Sequence, residues 1–361
     1  MVFFIPGLEL SSRFYHEVVR PILAARFPGL PYAAARIGPG SEVLGFDTPM
    51  STDHDWGPTV QLFLRDADAY LAQDIDEALR AGLPATFLGY PVSIPAARTS
   101  PADEPGSSLA HRVEVRTLRM FTQQHLALDP EPRLDIVDWL TIPSQKLLEL
   151  TAGAVYHDDT NELTALRQRL AYYPHDVWRY MLAAAWQRIG QEEHLMPRAE
   201  FGGDRLGASI IGARLAHDVM SIAFLLERRY APYPKWFGTA FGRLACAAEL
   251  APLLEEAQRA DGWLERAKAL GAAYVHLATI HNRLGLTPSV RAELTMFFER
   301  PFPVIFGGEI AQALLATIRD PEVTRLARAP LIGAVDQWSD STDLRSSAGL
   351  RRSLRLLYEA K

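Results

Sequence analysis

Between Arg36 and Leu64 the sequence reads RIGPGSEVLGFDTPMSTDHDWGPTVQLFL, and two features of this stretch carry chemistry. The first is Gly38-Pro39-Gly40-Ser41, a glycine-lined turn that ends in a hydroxyl directly after an apolar run. Such a turn lets backbone N–H groups and a Ser Oγ come close to phosphate oxygens. The second is Asp53-His54-Asp55-Trp56, separated from Ser41 by eleven residues and leading into the run Thr59 to Leu64. In an extended chain Asp53 and Asp55 share one face, roughly 6.5–7 Å apart along the backbone, while His54 and Trp56 point the other way. Two carboxylates on one face suit a pair of divalent cations about 3.5–4 Å apart. Mg²⁺ favours that setting, binding through a few carboxylates together with substrate phosphates and water.

Two carboxylates about 5 Å apart repel by about 3 kcal/mol at an effective dielectric near 20, so an acidic cluster needs a cation to offset it. A third carboxylate is available in RVEVRTL, Arg112 to Leu118. Strict alternation there turns Val113 and Val115 inward and Glu114 to the opposite face. Glu114 is expected to complete the triad, as metal ligand or as the base for an attacking hydroxyl. Arg116 shares its face and is placed to meet a phosphate. Asp135 and Asp138 of RLDIVDWLTIP are reserve candidates for the third acid, with a helix cap as the plainer reading. Taken alone, Asp53-x-Asp55 is a solvated turn before a strand. The distance from Gly40-Ser41 and the strand that follows give it a function. His54 reads as a packing residue and Trp56 as core.

These residues need elements to hold them. Tyr32 to Gly38, Thr59 to Leu64, Ala85 to Ile94 and His111 to Leu118 are expected strands, and Leu10 to Ala25 and Asp66 to Ala81 expected helices. The latter has an acidic first turn and stops at Gly82. PADEPGSS, Pro101 to Ser108, is a polar loop. Beyond Pro143 strand signals cease and helical periods follow: Leu163 to Leu170, His175 to Glu193, Arg205 to Tyr230, Lys235 to Ala260 and Asp261 to Leu284. The expected fold is α+β: a small mixed sheet in residues 1–143, a helical bundle in 144–285 that binds the acceptor, and a helical extension in 286–361. At the breaker APYP, Arg228, Arg229, Tyr230, Pro234, Lys235 and Trp236 form a cationic and aromatic cluster, with Lys235 at a helix start from which it reaches a triphosphate.

A small Gly-Ser turn followed by Asp-x-Asp entering a strand resembles the nucleotidyltransferase superfamily, which includes DNA polymerase beta and the tRNA and aminoglycoside nucleotidyltransferases. Over nearly the whole chain the sequence looks like a bacterial family of uncharacterised nucleotidyltransferase-like proteins, filed as a domain of unknown function. The segments that carry this likeness are GSEVLGFDTPMSTDHDWGP, DWLTIPSQKLLELTAGAVYHD, YYPHDVWRYMLAAAWQRI and RRYAPYPKWFGTAF. The resemblance implies a nucleotidyltransferase-like N-terminal domain in which Gly40 and Ser41 hold ATP or another nucleoside triphosphate. It further implies that Asp53 and Asp55 bind two Mg²⁺ ions. It supplies no acceptor.

Composition narrows the partners. With 37 Lys and Arg against 43 Asp and Glu, the net charge of −6 disfavours a nucleic-acid acceptor and leaves a small molecule as the expected one, with protein nucleotidylation open. Cys246 is the sole cysteine, which excludes an intrachain disulfide and fits a reducing, cytoplasmic setting. No stretch of about 18 apolar residues occurs; the best run, SIAFLL, ends at Glu227, so no membrane span is expected. FGGDRLG follows no strand, His175, His194, His217 and His281 lack zinc spacing, and neither a nucleophile elbow nor a Walker lysine occurs. The competing expectation is a nucleotide-sensing protein that keeps the fold and turns over nothing.

Overall fold

The computed structural model describes residues 3–52, 56–95, 109–129 and 133–359. Along the chain, α1 (Gly7–Phe14) passes through a π-helical turn at Tyr15–Val19 into α2 (Arg20–Arg26). Strands β1 (Tyr32–Arg36) and β2 (Val60–Leu64) follow, then α3 (Ala72–Gly82) after a 3-10 turn at Asp66–Leu71. Two small hairpins come next, β3 (Thr86–Phe87) with β4 (Tyr90–Pro91), and β5 (Ser93–Pro95) with β6 (Leu109–His111). They lead to β7 (Val113–Thr117), α4 (Leu118–Leu126), α5 (Ile136–Thr141), α6 (Ser144–Thr151), β8 (Ala154–Asp158) and α7 (Glu162–Arg169). The remainder holds α8 (His175–Glu192), α9 (Leu195–Phe201), α10 (Arg205–Leu226), α11 (Pro234–Phe241), α12 (Ala247–Arg259) and α13 (Trp263–Arg283). A last hairpin of β9 (Thr295–Met296) and β10 (Pro303–Val304) precedes α14 (Gly307–Leu315) and shorter helices.

The chain divides into two compact units: Met1–Arg133 with Lys146–Ala171, and Leu134–Gln145 with Tyr172–Lys361. In the first, the strand order is β7-β2-β1-β8, with β1 antiparallel to β2 and β8, and β2 parallel to β7. One face, with Val60, Leu62, Leu64 and Val113, packs on Leu10 and Phe14 of α1 and on Ile75 and Leu79 of α3. Each such fully buried side chain stabilises by about 1.5–3 kcal/mol. The α3 helix forms because Ile75, Ala78 and Leu79 make one apolar stripe, with Asp74 in the first turn and Arg80 in the last. On the other face Phe63 meets Phe121 of α4 edge-on. In the second unit α8 and α14 pack backbone to backbone. A Cβ on Gly190 would lie 2.5 Å from Gly308 N, and one on Gly307 2.5 Å from Trp186 O, so only glycine fits at the crossing.

The architecture is α+β, a small mixed sheet followed by helices, as the sequence predicts. Several elements differ. Strand signals do not cease at Pro143: AVYHD forms β8 and completes the sheet against β1. All five of its residues are half-buried, so it lacks the alternation that marks a strand. The expected strand Ala85 to Ile94 is instead β3, β4 and the start of β5, turned at Leu88 and Gly89, both with positive φ. The helix expected from Lys235 to Ala260 is two, α11 and α12. The loop Pro101 to Ser108 lies outside the described residues. By length and composition alone α10 is apolar enough to cross a membrane, with a mean hydropathy of 1.4 over its most apolar window. In this structure 56% of its most apolar window is buried within the protein, as in a core helix.

Candidate functional site

The turn after β1 is held from three sides by buried polar groups. Arg36, the last residue of β1, points its guanidinium back over the turn. Its Nε and Nη2 donate to Glu42 Oε1 at 3.0 and 2.5 Å, Nη1 to Ile37 O at 2.8 Å, and Nη2 also to Pro39 O at 2.8 Å. Gln61 of β2 uses both ends of its amide on one residue, accepting from Ile37 N at 3.1 Å and donating to Ile37 O at 3.0 Å. Gly38 N donates to Glu149 O at 2.8 Å. Gly38 and Gly40 have φ of +87° and +146°, and a Cβ on Gly40 would fall 2.6 Å from Arg36 Nη2 and 2.7 Å from Glu42 Oε1. Glycine at 40 is therefore required both by its backbone and by the ion pair beside it. Ser41 follows, its carbonyl accepting from Phe46 N at 2.9 Å.

Glu114 lies at the same end of the sheet. Ala35, Gln61 and Glu114 form one line of register across β1, β2 and β7, so their side chains share a face. Val113 is buried and Glu114 exposed. The Glu114 carboxylate is paired with the Arg116 guanidinium, which also donates to Gln124 Oε1 at 2.9 Å and lies over the Phe121 ring. Both residues line a cleft of about 670 Å³ that also takes in Asp76, Arg80 and His111. His111 Nδ1 accepts from Val113 N, which leaves the proton on Nε2, 2.9 Å from Asp76 Oδ1.

Asp53, His54 and Asp55 lie outside the described residues. The chain re-enters at Trp56, which is core as expected, and its Nε1 donates to Asp47 Oδ2 at 3.2 Å. Asp47 Oδ2 also accepts from Gly7 N at 2.7 Å. At Val60 the backbone N–H already donates to Arg112 O. The two reserve acids are engaged elsewhere. Asp135 and Asp138 form a capping box on α5, and both receive Arg355, while Asp138 also receives Arg351 at 2.6 Å. Lys235 is exposed in the first turn of α11, its Nζ 5.0 Å from the centre of the Trp236 ring. Arg228 instead lies over Tyr172 and Trp178, and Tyr230 is buried. Asp204 of FGGDRLG caps α10 through Gly207 N. His281 is buried with Nε2 2.9 Å from Thr287 Oγ1.

Sequence reasoning missed Arg36, Glu42 and Gln61 around the turn, and Asp76 and His111 in the cleft. The one signal for the first group was an Arg and a Glu flanking a glycine turn at a strand end.

Residues 139–237 match the model of a family described as a domain of unknown function, DUF4037. The matched stretch includes Lys235 and none of Gly40, Ser41, Asp53, Asp55, Glu114 or Arg116. Among solved structures, the chain is similar to a nucleotidyltransferase-like protein from Exiguobacterium sibiricum 255-15. That likeness has 11% identity and a TM-score of 0.34, and covers 98% of this chain and 91% of the other. No curated protein matches the sequence.

Proposed function

We propose that the chain is a Mg²⁺-dependent nucleotidyltransferase that moves a nucleoside monophosphate from ATP or another nucleoside triphosphate to a hydroxyl acceptor. The observation that carries this reading is the Gly38–Ser41 turn, held by Arg36, Glu42 and Gln61 at the same sheet end as Glu114. The Gly38 N–H is spent on Glu149 O and Pro39 has none, so in a turn fixed by Arg36, Glu42 and Gln61 the N–H groups of Gly40 and Ser41 and the Ser41 hydroxyl are the donors that would meet a phosphate. Asp53 and Asp55 supply hard oxygen donors for Mg²⁺, and Glu114 is the described member of the set. Among the described residues no group of three His, Cys, Asp or Glu is arranged for a metal. Bound Mg²⁺ neutralises the triphosphate charge.

In the transfer, Glu114 takes the proton of the acceptor hydroxyl, the acceptor oxygen bonds to the α-phosphorus, and the bond to pyrophosphate breaks. Glu114 must first leave Arg116. An ion pair with this exposure is worth about 0–1 kcal/mol and exchanges readily for a phosphate on Arg116. The net charge of −6 points to a small molecule or a protein hydroxyl as acceptor in preference to nucleic acid.

Titration calorimetry with ATP, with and without Mg²⁺, followed by a pyrophosphate-release assay, tests the proposal. Mg²⁺-dependent ATP binding that falls at least tenfold in Asp53→Asn, with pyrophosphate release that Glu114→Gln abolishes, is the expected result. ATP binding without pyrophosphate release for any hydroxyl acceptor would leave a nucleotide sensor. Absence of ATP binding would reject both readings.

A further inference from the structure

The cleft beside Glu114 has an unusual floor: the outer edge of β7. That strand is the last of its sheet, and its inner edge is committed to β2. Val60 N donates to Arg112 O at 3.1 Å, and the parallel register Val60↔Val113 and Gln61↔Glu114 directs the N–H and C=O of Glu114 and Arg116 toward β2 as well. The backbone groups of Val113 and Val115 therefore face outward. The N–H of Val113 is met by His111 Nδ1 at 3.3 Å. Among the described residues nothing meets the N–H or C=O of Val115, and Val115 lines the cleft.

An open strand edge invites pairing with another sheet, and proteins commonly cover it. Here α3 stands on one side, with Asp76 and Arg80, and α4 on the other, with Met120 and Gln124. With a helix on either side, an extended chain laid along β7 is the partner we consider for this edge. Its walls carry no net field. Arg80 is paired with Asp76 at 2.9 Å on one side, and Arg116 with Glu114 on the other. A phosphate polymer needs a row of cations, and this surface offers little beyond the one Arg116 that opens for the donor nucleotide, whereas a peptide backbone offers the donors and acceptors that Val115 lacks.

We propose that this cleft binds an extended peptide segment by strand addition to β7, placing a Ser or Thr hydroxyl beside Glu114. A residue registered with Glu114 projects on the same face, with Cβ atoms roughly 4.5–5.5 Å apart, within reach of the carboxylate. That this hydroxyl is the acceptor rests on the function proposed above; strand addition does not. In the transfer the peptide Oγ–H bond breaks and its proton goes to Glu114. An Oγ–phosphorus bond forms to the α-phosphate of the nucleoside triphosphate, and pyrophosphate leaves with the electrons of the broken P–O bond.

The test is a random-peptide display selection on the full chain without nucleotide, followed by anisotropy titration of the enriched peptides as labelled synthetic copies. Val115→Pro removes the outward N–H and leaves the ladder to β2, a position where an edge strand tolerates proline. Backbone N-methylation of the peptide makes the same cut from the other side, independently of how the variant folds. Binding that falls at least tenfold with both changes, and slowed hydrogen exchange at Val115 in the complex, is expected. No enriched peptide, or binding indifferent to N-methylation, overturns the proposal. Glu114→Gln is expected to keep peptide binding and lose ATP-dependent modification of the peptide. Peptide bound by the unaltered chain but never modified would overturn the acceptor assignment while strand addition stands.

Discussion

Arg36 and Glu42 close a buried ion pair across the glycine turn, and Gly40 lies against both of its charged groups. Their side chains are 8% and 5% exposed, so the Arg36 charge depends on Glu42 and on the Ile37 and Pro39 carbonyls for its solvation, and the Glu42 charge depends on Arg36. Removing one partner leaves the other buried and uncompensated, at a cost of about 3–5 kcal/mol, whereas replacing both by apolar groups is often near neutral. Glu42→Leu and Arg36→Met are each expected to lower urea-unfolding stability by about 3 kcal/mol, and the double variant to regain most of it. The double variant should still bind ATP at least tenfold more weakly, because the turn has lost its clamp. Full ATP affinity in the double variant would mean that the pair stabilises the fold without positioning the turn.

Gly40→Ala separates backbone conformation from crowding. Gly203 also has a positive φ, +96°, but a Cβ there meets nothing within 4 Å. Gly203→Ala is expected to cost about 1 kcal/mol from backbone strain alone. Gly40→Ala, which drives a methyl into the Arg36–Glu42 contact, should cost about 1–2 kcal/mol more and weaken ATP binding in calorimetry.

Lys235 is exposed beside the Trp236 ring, so removing its charge is expected to cost the fold little. A charge-assisted contact to phosphate is worth about 1.5–3 kcal/mol, so Lys235→Ala is expected to weaken ATP binding roughly tenfold or more with unchanged thermal stability. Unchanged affinity for ATP would remove Lys235 from the nucleotide site.

What the sequence revealed and what it hid follow from how far apart the interacting groups lie. Alternation in VEVRT and the apolar runs YAAAR and VQLFL marked three of the four sheet strands, and the outward face of Glu114 came with them. The acidic first turn and apolar stripe of α3 were equally local. In contrast, β8 has no alternation to find, because each of its residues is half-buried. Arg36, Glu42 and Gln61 are polar residues whose burial makes sense only once β1, β2 and the turn are assembled. The sequence marks Asp138 as a helix cap but hides its guanidinium partner, Arg351, which lies in the C-terminal helices. The contact of His111 with Asp76 joins β6 to α3 and likewise has no sequence signature.

Two buried groups of the second unit titrate against each other. Glu193 accepts from Ile305 N at 2.6 Å and Gly307 N at 3.1 Å, but burial outweighs those bonds and pushes its carboxyl up to about 7. Burial likewise pushes His281 down to about 4. For Glu193 the folded chain holds a proton that the unfolded chain has released above its ordinary value of 4.5, so its contribution to stability is present below 4.5 and is lost as pH rises to 7. For His281 the unfolded chain binds the proton first, below 6.5, so stability is lost as pH falls from 6.5 toward 4. Each swing amounts to about 3 kcal/mol, and over their shared range the two oppose. Urea unfolding of Glu193→Gln between pH 4.5 and 6.5 should therefore show stability rising more steeply with pH than in the unaltered chain. His281→Gln should show it rising less or falling. Parallel profiles for both variants and the unaltered chain would mean that neither group changes its proton affinity on folding.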